Sequence, residues 1–110
     1  MDPVNKTNYM ESNVDSWDEG VKTINISSNP EITHLKSPYL GTIFFNAWGL
    51  SSSKQIAARQ SSKTGTIINQ TSAGTYHQMV IPTQKNETIY FTVEGTGTVT
   101  LSYRIIILPV

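Results

Sequence analysis

The sequence predicts an all-β protein, an antiparallel β-sandwich of jelly-roll type with about seven or eight short strands behind an extended N-terminal arm. Three observations predict it. Apolar residues alternate with polar ones along short runs, turn residues separate those runs every 8–12 positions or so, and no amphipathic stretch of helical length occurs. Composition agrees. Only 15% of the 110 residues are charged, and serine and threonine together occupy 26 positions, a texture unlike that of coiled coils or charge-driven disorder. The length suits one domain with one core.

Residues 1–20 carry no strand-length apolar pattern and read as the arm, with a short helical turn expected near Ser12–Trp17. Residues 21–110 form the sandwich domain. Lys22–Ser27 alternates, with Ile24 and Ile26 on one face, and Ser28-Asn29-Pro30 breaks it, because proline fixes its own φ and restricts Asn29. Leu40–Trp48 is β-branched and aromatic enough to be a strand buried on both faces. Gln55–Gln60 reads as a weak strand, or as one helical turn at Ile56–Arg59. Thr66–Gln70 and Tyr76–Ile81 follow as short strands, the latter ended by Pro82. The clearest pattern closes the chain. Ile89, Phe91 and Val93 share one face of Thr88–Glu94, and Val99, Leu101, Tyr103 and Ile105 share one face of Thr98–Ile105, with Gly95-Thr96-Gly97 between them. Two alternating runs across such a turn predict a β-hairpin.

Several chemistries are disfavoured. Without cysteine, disulfides, thiolate metal sites and thiol catalysis drop out. A serine hydrolase needs a base and a group to orient it. Here the only histidines are His34 and His77, and every aspartate (Asp2, Asp15, Asp18) lies in the arm. His77 reads instead as a solvent-facing strand residue. Glu87 and Glu94, seven residues apart, would stand roughly 23 Å from one another along a strand, too far for paired-carboxylate chemistry. Asp15, Asp18 and Glu19 lack an EF-hand spacing and read as a solvated acidic patch. Gly95-Thr96-Gly97 joins two strands and cradles no phosphate. Lysines and arginines are scattered singly, so no nucleic-acid stripe exists. Four Asn-x-Ser/Thr sequons, at Asn5, Asn25, Asn69 and Asn86, read as composition. No catalytic residue, metal or cofactor is expected.

Binding is the remaining class. Tyr39, Trp48, Tyr76 and Tyr90 are candidate aromatic platforms for a carbohydrate, with Asn46 and Gln78 as polar partners; Trp48, ending an apolar strand, suits the core at least as well. The formal net charge of zero divides unevenly. The arm holds five acids against Lys6, a net −4, and the body holds seven cations against three acids, a net +4. An acidic arm with Tyr9, Met10 and Trp17 as anchors suits docking on a basic, apolar groove; a loose acidic tail is the plainer alternative. At the other end Ile105-Ile106-Ile107-Leu108 is apolar on both faces. Ile106 and Leu108 therefore need cover from an arm or a second subunit. Homo-oligomerisation, trimeric or higher, is the expectation.

The arm Met1–Gly20 and the closing stretch Asn86–Leu108 (NETIYFTVEGTGTVTLSYRIIIL) resemble, in style, the small accessory virion proteins of bacteriophages and prophages: head decoration proteins or tail and fibre modules. The resemblance implies a non-enzymatic structural role on a larger assembly and transfers no catalytic residue. A carbohydrate-binding or adhesive module is the alternative, and a small hydrolase a distant third. The N-terminus has no basic-then-apolar leader and the longest apolar run is far too short to span a bilayer. Synthesis in the cytoplasm and release within a virion by lysis are therefore expected, without membrane insertion.

Overall fold

The computed structural model describes residues 16–27, 30–95 and 98–110. Over them the chain forms nine strands and no helix: β1 (Trp17–Asp18), β2 (Lys22–Ile26), β3 (Glu31–Lys36), β4 (Gly41–Trp48), β5 (Gln55–Gln60), β6 (Ile67–Gln70), β7 (Tyr76–Thr83), β8 (Thr88–Glu94) and β9 (Val99–Pro109). Sheet A has the order β1-β9-β4-β7, with β2 beside β1 on the same edge of β9, and sheet B the order β3-β8-β5-β6.

The pairings reveal how the chain is wound. β2 pairs with β9, β3 with β8, β4 with β7 and β5 with β6, all antiparallel. The first half of the body and the second half thus run as one long two-stranded ribbon, tipped at the β5–β6 connection. Successive pairs alternate between the sheets, and β4–β9 and β5–β8 contacts close the roll. This is a jelly roll, with the short β1 added at one edge.

Strict alternation supplies the core. Ile43, Phe45 and Ala47 of β4, Ile105 and Ile107 of β9, and Ile89 and Phe91 of β8 are fully buried. Gly41 is a glycine for a packing reason: a Cβ there would lie 2.4 Å from the Leu108 carbonyl oxygen. Tyr103 crosses the sandwich to a hydrogen bond with Thr33, and burial raises its phenol pKa.

The structure departs from several expectations and decides between two alternatives. The closing runs are strands, but they form no hairpin: β8 lies in sheet B and β9 in sheet A. Their apolar faces meet across the core, which alternation alone cannot distinguish from lying side by side. β4 is not buried on both faces; Thr42, Phe44, Asn46 and Trp48 are half-buried on the outside. Gln55–Gln60 is the strand rather than the alternative helical turn at Ile56–Arg59, with Ile56, Ala57 and Ala58 all buried between two partner strands. Glu31–Lys36, assigned to no strand from its sequence, is β3. Trp17 is strand as well, while the rest of the expected helical turn, Ser12–Asp15, lies outside the described residues, as do Tyr9 and Met10.

Candidate functional site

The outer face of sheet A is the chemically distinctive surface. Because strand side chains alternate, the residues of β4 that miss the core point outward together with those of β7 and β9. Register arranges them in rows. Pro82, Thr42 and Leu108 form the first row, and Val80, Phe44 and Ile106 the second. Gln78, Asn46 and Arg104 form the third, and Tyr76, Trp48 and Ser102 the fourth.

The first two rows make an apolar end. Val80 is 55% exposed and Leu108 41%, with Phe44 and Ile106 half-buried between them. Leu40 and Val110, joined by a Val110 N–H to Leu40 carbonyl bond of 3.1 Å, lie exposed beside Gly41 at the same end. A contiguous exposed patch of this kind is unusual on a monomer.

The last two rows make an aromatic and amide end. Trp48 and Tyr76 are direct cross-strand neighbours, and Tyr76 is 55% exposed. The Tyr76 hydroxyl donates to Asn46 Oδ1 at 3.3 Å. Among the described residues no group pairs with the Trp48 indole N–H or with the Gln78 carboxamide. Beside Trp48, Ser102 Oγ and Thr23 Oγ1 share a hydrogen bond of 2.8 Å. Arg104 is committed elsewhere. Its guanidinium forks onto Asp18, Nε to Oδ1 at 3.1 Å and Nη2 to Oδ2, and this pairing, with the Gly20 N–H, lowers the Asp18 carboxyl to a pKa of about 2. Asp18 is thus tied to Arg104 across the β1–β9 pair within one chain.

The other candidate residues lie elsewhere. Trp17 pairs with Ile107 and packs partly against the core. Tyr39 is buried and donates its hydroxyl to the Ile107 carbonyl at 2.8 Å, so it offers no platform; a tyrosine one residue before the Leu40-Gly41 strand start carried no sign of that inward turn. Tyr90 sits on the outer face of sheet B, stacked on His34 at 4.5 Å, with Arg59 as its other neighbour. His34 Nδ1 meets Glu31 Oε2 at 2.6 Å. The Arg59 guanidinium donates to Glu94 and to the Gly65 carbonyl, each at 3.0 Å, beside an open depression of about 330 Å³ lined also by Pro30 and Lys63.

His77 does not face solvent. It is 2% exposed, with Nδ1 2.6 Å from Thr71 Oγ1 and Nε2 2.7 Å from the Gly74 carbonyl. The ring braces the turn between β6 and β7. The expectation of a solvent-facing histidine fails on parity: Tyr76, Gln78 and Val80 point out, so the histidine between them points in. Among the described residues no group of three or more metal-ligating side chains converges, and no helix is long and apolar enough to cross a membrane.

Compared with known proteins, the chain matches no family model and no curated sequence.

Proposed function

We propose that this chain is a non-enzymatic structural module that self-associates through the apolar end of sheet A and serves as a component, decoration or tail and fibre, of a phage or prophage particle. One observation carries the self-association: Val80, Phe44 and Ile106 stand side by side across three strands, flanked by Pro82 and Leu108. Water against such a band is costly, at roughly 25 cal/mol per Å² of apolar surface. A second copy supplies an equally uncharged, equally apolar surface. The antiparallel register also brings the chain into β1 from the Leu108 side of β9. Tyr9 and Met10, the anchors read from the sequence, are proposed to contact a neighbouring subunit or a larger assembly; they lie outside the described residues. The particle assignment rests on the stylistic resemblance of the sequence.

Sedimentation velocity tests the association. The wild-type chain is expected to sediment as a trimer or larger, and Val80→Glu as a folded monomer, because a carboxylate desolvated against Phe44 weakens contact by roughly tenfold or more. A wild-type chain that stays monomeric at every concentration and ionic strength refutes the reading. Recovery of the protein in density-purified particles from the cells that encode it tests the particle assignment.

A further inference from the structure

We infer that the Trp48–Tyr76 end of sheet A is a binding site for a neutral carbohydrate. Trp48 and Tyr76, paired across β4 and β7, place an indole and a phenol side by side on the outer face for the C–H face of a sugar, and aromatic side chains combine large apolar contact with a polar edge. Hydroxyl-rich ligands also need a fringe of uncharged donors and acceptors, and these rows hold one. The Asn46 carboxamide has its oxygen held by the Tyr76 hydroxyl, which turns its N–H groups free to donate. The Trp48 indole N–H and the exposed Gln78 carboxamide have no partner among the described residues. Ser102 and Thr23 hydroxyls continue the row beyond Trp48.

Charge selects the ligand class. The nearest ionic group in these rows, Arg104, is neutralised by its fork onto Asp18. A phosphate or uronate gains little there, whereas a neutral sugar loses nothing. The site adjoins the self-association surface but shares no residue with it: Gln78 and Val80 are two residues apart on β7, about 7 Å at the strand rise of ~3.4 Å, whereas Trp48 and Thr42, with Leu108 beside it, are six residues apart on β4, about 20 Å. A variant at the Leu108 end therefore tests the two surfaces separately.

The experiment is a screen of the full chain against a printed array of neutral gluco-, galacto- and N-acetylglucosamine oligosaccharides, followed by solution titration with the best soluble oligosaccharide. Trp17 and Trp48 are the only tryptophans, so in a Trp17→Phe background Trp48 is the sole indole reporter. Its emission is expected to shift on titration. Trp48→Ala and Gln78→Ala should each weaken binding roughly tenfold, as read by calorimetry, while Leu108→Glu, in the row farthest from Trp48, leaves the affinity per site unchanged even as it weakens self-association. Gln78 is exposed, so its variant guards against a Trp48→Ala that fails to fold. No array signal, a signal only for acidic glycans, or binding that survives both substitutions overturns the inference.

Discussion

Phe45 and Phe91 lie nearly parallel, with ring centroids 4.2 Å apart and 6° between their planes, and they belong to different sheets. This contact joins the two halves of the roll at the centre of the core, and Tyr103 extends it at 6.1 Å from Phe45. Everything on the outer faces depends on it, because the rows of sheet A are held in place only while the sheets stay packed.

Phe91→Ala is accordingly expected to cost about 3–5 kcal/mol, as a large buried ring leaves a cavity that its neighbours fill only in part. Urea unfolding of the single variants and of Phe45→Leu with Phe91→Leu should show coupling of about 0.5–1.5 kcal/mol. Strict additivity would show that the stacked pair contributes nothing beyond its burial.

Gly41→Ala tests the close approach of β4 and β9. Its methyl would meet the Leu108 carbonyl oxygen at 2.4 Å, a backbone atom fixed in the ladder, so the strands must part. A loss of about 1–3 kcal/mol is expected, and with it a lower melting temperature. An unchanged melt would mean that the strand pair yields without cost.

The Asp18–Arg104 fork ties stability to acid. Asp18 is held at a pKa of about 2 against an ordinary 3.8. A depressed carboxyl contributes stability above its unfolded value and loses it as pH falls through its folded value. The β1 edge should therefore loosen between about pH 4 and pH 2. Carboxyl-carbon NMR should place the Asp18 midpoint near 2 in the wild type and move it toward 3.8 in Arg104→Gln. A midpoint that ignores this substitution contradicts the assignment.

His77 and His34 should differ in reactivity. His34 lies on the surface of sheet B, whereas His77 is enclosed and bonded at both ring nitrogens. Diethyl pyrocarbonate is expected to modify His34 in the native protein and His77 only on unfolding, as peptide mass spectrometry would read. His77→Phe should remove the side-chain partner of the Gly74 carbonyl and one of the partners of the Thr71 hydroxyl, at about 1–3 kcal/mol in all, and should speed exchange of the Ile56 amide, which donates to Thr71 Oγ1 at 3.0 Å.

Much of this was legible in the residues. Alternation placed Ile89, Phe91 and Val93, and Val99, Leu101, Tyr103 and Ile105, on inward faces, and each is buried. The run of polar residues beside the rings was also readable, since Asn46 and Gln78 share the parity of Trp48 and Tyr76. Parity could likewise have placed His77 inside. Tyr39 and Glu31–Lys36 were harder: one turns inward at a strand entrance to reach the Ile107 carbonyl, and the other pairs with β8 through a register shift between Glu31 and Thr33 that blurs its pattern.

Local alternation by itself determined that this chain is all-β and which side of each strand seeks a core, because a period of two is a property of the backbone. Charge counting on the sequence alone set residues 1–20, net −4, against residues 21–110, net +4. Which strands became neighbours was decided only by the tertiary structure. A β-strand can satisfy its hydrogen bonds with any partner of suitable register, so β8 and β9, consecutive and similarly patterned, could part into opposite sheets once winding the whole ribbon buried more apolar surface than a local hairpin. That winding set Trp48 beside Tyr76 and Asp18 beside Arg104, relationships that no span of sequence contains.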